Sequence, residues 1–306
     1  MRGVRGQIIK DRMSTYLDKL RSQITELLLV KDKYLSSTEI YYHNPNKDYS
    51  GIYVIGASVN HWGQSKIGHE AFQIELRNKF GKFLDYFALI EPLLPEKRLN
   101  DIQEVTKQVS MWIEKERNAP GPNVNDAIKN FSWELEKYSS TIELLQSAYD
   151  KNEKILVPDT NALISNPELS EYASFFKEKI SIFILSTVIA ELDKLKIFNK
   201  NEEVRKKARS IISRLKGYRK QGDIISEGVT ISKSILLKLM PIEPDFDKTL
   251  SWLDPLNMDD RIIVSTLEIE LKYLSSEVLL ITNDLNLQNK AELAGIKYID
   301  TDDVFL

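Results

Sequence analysis

Four short apolar runs in the second half of the chain constrain its fold more than any other feature: ILVP at 155–158, SIFILS at 181–186, VLLIT at 278–282 and IKYID at 296–300. ILVP is continuous rather than alternating, as a strand covered on both faces requires, and the other three are read as further strands. Helical patterns separate them. Strands that alternate with helices predict a parallel α/β sheet joined by right-handed crossovers. Such sheets bind ligands outside the carboxyl ends of their strands. Polar residues just past these runs are therefore the first candidates for chemistry.

The first half has a different rhythm. Met13, Leu17, Leu20, Ile24 and Leu27 recur at helical spacing, as do Phe72, Leu76, Phe80, Phe83 and Phe87, and then Ile102, Val105, Val109 and Trp112. The prolines and glycine of APGPN, 119–123, stop the third pattern. A fourth helix places Ile128, Phe131, Leu135, Tyr138, Ile142 and Leu145 three and four residues apart. That is a heptad seam; it serves either a bundle within the chain, the reading preferred here, or a coiled-coil dimer. YYHNPNKDYSG, 41–51, is turn-rich, and GIYVIGASV, from Gly51, reads as a short strand. The polar DKNEK stretch, 150–154, puts a boundary near residue 152. The expected organisation is a mainly α-helical N-terminal domain over 1–151 and an α/β domain with a parallel sheet flanked by helices over 152–306.

Asp159 and Asp284 each follow a strand run directly, while Glu191, Asp259 and Asp260 stand at or near helix starts. Taken singly, an Asp in such a place is equally well a helix N-cap, and a first-turn acid suits the helix dipole. Taken together, carboxylates gathered at one sheet edge repel one another unless a cation neutralises them. Mg2+ or Mn2+ matches an all-oxygen donor set, and such ions activate water against phosphodiesters.

The stretches VPDTNALISNP, LSTVIAELDKLK, EEVRKKARSIISRL, NMDDRIIVSTL and LLITNDLNLQNKAELAGI occur in this order between 154 and 303. Together they resemble the PIN domain, a metal-dependent ribonuclease fold, and above all the PIN domains fused to PhoH-type ATPases. The resemblance implies that Asp159, Glu191, Asp259 and Asp284 are the metal-binding catalytic acids, with Asp260 auxiliary. It also implies that Asn161 and Thr282 orient them, with Mg2+ or Mn2+ as cofactor and single-stranded RNA as substrate. The chain shows no P-loop, so no ATPase activity is expected of it. Nothing in the resemblance extends to residues 1–150.

Lys194–Lys220 carries eleven Lys or Arg against two Glu in a chain of net charge −3. Val204, Ala208, Ile211, Leu215 and Tyr218 form its apolar stripe, which leaves Arg205, Arg209, Lys216 and Lys220 for a nucleic-acid backbone. A solvated helix face has the same composition. His43, His61 and His69 have no ligand spacing, and Tyr41, Tyr42, Tyr49 and Tyr53 are candidates for base stacking. The absence of cysteine excludes disulfides and thiolate chemistry and suits a reducing cytoplasm. No apolar run is long enough to span a membrane. The expectation is a cytoplasmic endoribonuclease whose N-terminal domain binds a protein partner or a second copy. The alternatives are a non-catalytic RNA-binding protein and a structure-specific DNA nuclease.

Overall fold

The computed structural model describes residues 15–44, 60–116, 118–149, 153–176 and 178–305. Contacts divide the chain into two compact units, Leu17–Ala148 and one built on Tyr149–Leu306. Among the described residues no helix is long and apolar enough to cross a membrane.

The N-terminal unit contains helix α1 (Tyr16–Ser36), strands β1 (Thr38–Tyr42) and β2 (Asn60–Ser65), and helices α2 (His69–Ala88), α3 (Glu96–Ile113) and α4 (Val124–Ala148). The heptad seam of α4 is used inside this unit. Phe131, Leu135, Tyr138 and Ile142 are fully buried, so the bundle needs no second chain to cover them. Tyr138 meets Phe83 and Phe87 edge-on at 4.9 Å, and its hydroxyl is bonded to that of Thr106 at 2.6 Å. At the turn into α4, Gly121 leaves no room for a side chain, since a Cβ there would lie 2.7 Å from Ala127 N. The strand expected from Gly51 lies outside the described residues, as do Met13, Tyr49 and Tyr53. The strands present are β1 and β2, an antiparallel pair with Tyr41 opposite His61.

The C-terminal unit runs β3 (Lys154–Pro158), α5 (Thr160–Ser165), α6 (Leu169–Phe176), β4 (Ile180–Leu185), α7 (Ser186–Phe198), α8 (Glu202–Arg219), β5 (Val229–Ser232) and β6 (Ile235–Met240). It continues through α9 (Met258–Lys272), β7 (Glu277–Ile281), α10 (Leu285–Leu293), β8 (Lys297–Ile299) and α11 (Thr301–Phe305). Its sheet has the order β5-β6-β4-β3-β7-β8. The four apolar runs became β3, β4, β7 and β8, and Ile155, Leu156, Val157 and Ile184 are completely buried. The sheet is not wholly parallel: β6 joins the parallel set, and β5 closes one edge antiparallel to it. Neither is buried throughout as β3, β4 and β7 are: β5, VTIS, has one buried position, and β6, ILLKLM, alternates between buried and half-buried ones at its start.

Strand order positions the site. From β3 the chain steps one way to β4 and β6, then returns to lay β7 on the other side of β3. The reversal leaves a crevice at the carboxyl ends of β3 and β7, the usual ligand site of an open α/β sheet.

Candidate active site

Asp159 and Thr282 stand on the two sides of that crevice. The Asp159 amide extends the ladder by donating to the Ile281 carbonyl at 3.0 Å. Its side chain caps α5, with Oδ1 accepting the Ala162 amide at 2.6 Å, while Oδ2 accepts the Thr282 hydroxyl at 2.5 Å. The Thr282 oxygen also accepts the Asp284 amide at 3.0 Å. One hydroxyl thus ties the two strand ends together. Asp284 caps α10, its Oδ1 accepting the Asn286 and Leu287 amides at 2.8 and 3.2 Å. Glu191, on α7, accepts the Thr160 hydroxyl at 2.6 Å through Oε2.

Electrostatics confirm that these three acids share a field. Asp159 is only 3% exposed. Burial pushes its carboxyl up to about 6; the bonds from Thr282 and Ala162 pull it down, and the charges of Glu191 and Asp284 push it up again. The fully buried Tyr172 phenol is raised as well, mainly by burial and then by the negative charge of Asp159.

Asp259 and Asp260 open α9 behind the cap of Asn257, whose side chain accepts both their amides. Asp259 Oδ2 accepts Asn286 Nδ2 at 2.6 Å and lies 3.5 Å from Lys290 Nζ. Asp260, 5% exposed, accepts the Asp254 amide at 3.0 Å through Oδ2 and places Oδ1 2.8 Å from Lys290 Nζ. Asp159, Glu191 and Asp284 therefore form one group. Asp259 stands outside it, linked only through Asn286, which contacts Asp284 with its amide and Asp259 with its side chain. Asp260 is committed to the loop before α9.

Residues 156–302 match the family model described as the PIN domain. The C-terminal unit has the PIN fold. PIN domains are generally nucleases and typically use divalent metal ions. No curated protein matches the chain.

The donor set of the PIN unit suits a hard cation. All its acids are carboxylates, and the described bonds leave Glu191 Oε1 and Asp284 Oδ2 for further ligands. No ion pair among the described residues reaches Asp159, Glu191 or Asp284. The proton affinity of Asp159 is raised first by burial, and the charges of Glu191 and Asp284 add to it. Among the described residues, no three acidic or histidine side chains are already drawn together as a ligand cage. The residues fit the group by chemistry and charge.

Other expected residues are placed differently. Asn161 is exposed, and the described contact that fixes an acid from this turn comes from Thr160 instead. An N–H or O–H donor must face the carboxylate, and in α5 that position falls to Thr160. On α8, Arg205 donates to the carbonyls of Asn199 and Lys200 at 2.5 and 3.2 Å, and Arg209 to that of Lys196 at 3.3 Å. Arg205 is thus engaged with the segment just past α7, while exposed Arg209 spends one N–H on the last turn of α7. Lys216 and Lys220 are exposed. Thr160, Asn286 and Lys290 escaped the sequence reading: each resembles an ordinary helix residue, and its partner lies on another element. His69 belongs to the bundle, buried with Nδ1 2.7 Å from Ser37 Oγ and stacked on Tyr34.

Proposed function

We propose that the PIN unit is an endoribonuclease that hydrolyses single-stranded RNA with Mg2+ or Mn2+. The observation that carries this reading is the buried Asp159 carboxylate at the switch point, raised in proton affinity and grouped with Glu191 and Asp284, with no ion pair to any of the three among the described residues. Asp159, Glu191 and Asp284 would hold the cation, and Asp259 adjoins them through Asn286. Bound there, the cation supplies charge for the phosphoryl oxygens and lowers the pKa of water. Thr282 and Thr160 hold the carboxylates in place by donating to them. Lys216 and Lys220 attract the RNA backbone from α8, which packs on the helix carrying Glu191. The likeness of the motifs to PIN domains of PhoH-type proteins and the cysteine-free composition favour RNA as substrate and the cytoplasm as location. In this reading the N-terminal unit presents the RNA or recruits a protein partner.

The test offers the purified chain labelled single-stranded RNA, duplex RNA and flapped DNA, with EDTA and then with Mn2+ or Mg2+ restored. Internal cuts in single-stranded RNA that need metal support the proposal. Preferential cutting of the flap makes it a DNA nuclease, and retention of RNA without cutting makes it a binding protein.

A further inference from the structure

The five acids are not alike in charge balance. Asp159, Glu191 and Asp284 have no ion-pair partner among the described residues, whereas Asp259 and Asp260 share the ammonium group of Lys290, at 3.5 and 2.8 Å. This lysine is well fixed. Its side chain is 16% exposed and that of Asp260 is 7% exposed, so the pair is shielded from the water that weakens surface ion pairs. Asp260 is held from its other oxygen by the Asp254 amide, and Asp259 by the Asn286 amide group. Lys290 rises from α10, the helix that Asp284 caps, and reaches across to the start of α9. The last turn of α10 is thereby locked to the start of α9 through one positive charge.

We infer that Lys290 is a built-in cation for the Asp259–Asp260 half of the site, so that the PIN unit takes one divalent metal ion, on Asp159, Glu191 and Asp284, and not two. Lys290 is a positioning residue in this scheme, because it acts through the two aspartates. An ammonium at 2.8 Å occupies the place that a second metal ion would need, and two adjacent carboxylates that already share a positive charge have less to gain from a divalent ion that must shed its water. Removing the ammonium reverses the balance. Two adjacent carboxylates, one of them buried, would then lack a counter-charge, and that is the condition that recruits a cation. The inference rests on the proposed metal dependence of the unit and adds to it the number of ions and the place they take.

The experiment counts Mn2+ ions bound per chain, by paramagnetic resonance of the free ion and by calorimetry, in the full-length protein. Wild type is expected to bind one. Lys290→Met is expected to bind two, and Lys290→Arg, which keeps the charge, one. Lys290→Met together with Asp260→Asn should return to one, since a single acid remains on that side. Circular dichroism establishes that each variant is folded. If Lys290→Met does not fold, Asp259→Asn decides the matter: the wild-type count and an affinity within about threefold are expected, because Asp259 lies outside the group that holds the ion. Two ions in wild type, one in folded Lys290→Met, or a more than tenfold loss of affinity in Asp259→Asn would each overturn the inference and leave metal dependence standing. No bound Mn2+ in wild type would overturn both.

Discussion

Replacing Asp159 by Asn is expected to stabilise the metal-free protein while removing its activity. Asp159 carries its charge at 3% exposure, and the fold raises its carboxyl from 3.8 to about 6. Between those values the native state holds more protons than the unfolded chain, so stability falls as pH rises through this window. Above about pH 6 the loss is complete: roughly two pH units at 1.36 kcal/mol each is about 3 kcal/mol. Asn keeps the oxygen that accepts the Ala162 amide and carries no charge. It must rearrange the Thr282 contact, which costs about 1 kcal/mol. The net gain at pH 8 is about 2 kcal/mol, or a rise in melting temperature of about 4–8 °C for a unit of this size. At pH 4, where wild-type Asp159 is largely protonated in the fold, the variant should have no advantage. The assay is thermal unfolding in EDTA at pH 4, 6 and 8, repeated with Mn2+. Added Mn2+ should raise the wild-type transition at pH 8 and leave the variant nearly unmoved, because ligand binding stabilises only the state that binds. A variant no more stable than wild type at pH 8, or an advantage independent of pH, would refute the reasoning that Asp159 is a charge held at a cost for a cation.

Thr282→Val removes the hydroxyl that joins Asp159 to the Asp284 turn; it should raise the Asp159 pKa further and weaken Mn2+ binding about tenfold by calorimetry. Lys216→Glu with Lys220→Glu should lower the slope of log K against log salt for RNA by about two without changing the fold. Arg205→Glu should act on stability instead, because its guanidinium group holds the end of α7. Phe131→Ala should destabilise the N-terminal unit by about 3–5 kcal/mol in urea unfolding and leave Mn2+ binding unchanged.

Much of the fold could be read in the sequence where one element carried its own signal. The runs that became β3, β4 and β7 are continuous because both faces of the sheet are covered there, while β8, at the sheet edge, has no fully buried position; the spacing of Phe131, Leu135, Tyr138 and Ile142 marked the buried side of α4. The rest depended on partners distant in sequence. β2, NHWGQS, has a Gly and polar residues in place of strand formers, and it exists through pairing with β1. β5 is a partly exposed sheet edge and β6 lies next to it, and there half-buried positions replace a continuous buried run. Asp159 and Asp284 were visible as strand-end acids. The Thr160 contact to Glu191, and the Lys290 contact to Asp259 and Asp260, join different elements and leave no fixed spacing to find. Nor could the sequence separate Arg205 from Lys216: both are basic residues on one helix, and only the Asn199 carbonyl shows that Arg205 is already engaged.

If Asp159 holds a metal ion with which the protein cuts RNA, single-turnover cleavage of a labelled single-stranded RNA depends on both the ion and the carboxylate. Wild type and Asp159→Asn are stripped with EDTA and then supplied with matched free Mn2+, with melting curves recorded on the same samples. Wild type is expected to cleave only after Mn2+ is restored, and Asp159→Asn to lose about a thousandfold or more while melting no lower than wild type in EDTA at pH 8. Cleavage that persists in EDTA, or a folded Asp159→Asn that cuts at the wild-type rate, would contradict that role of Asp159.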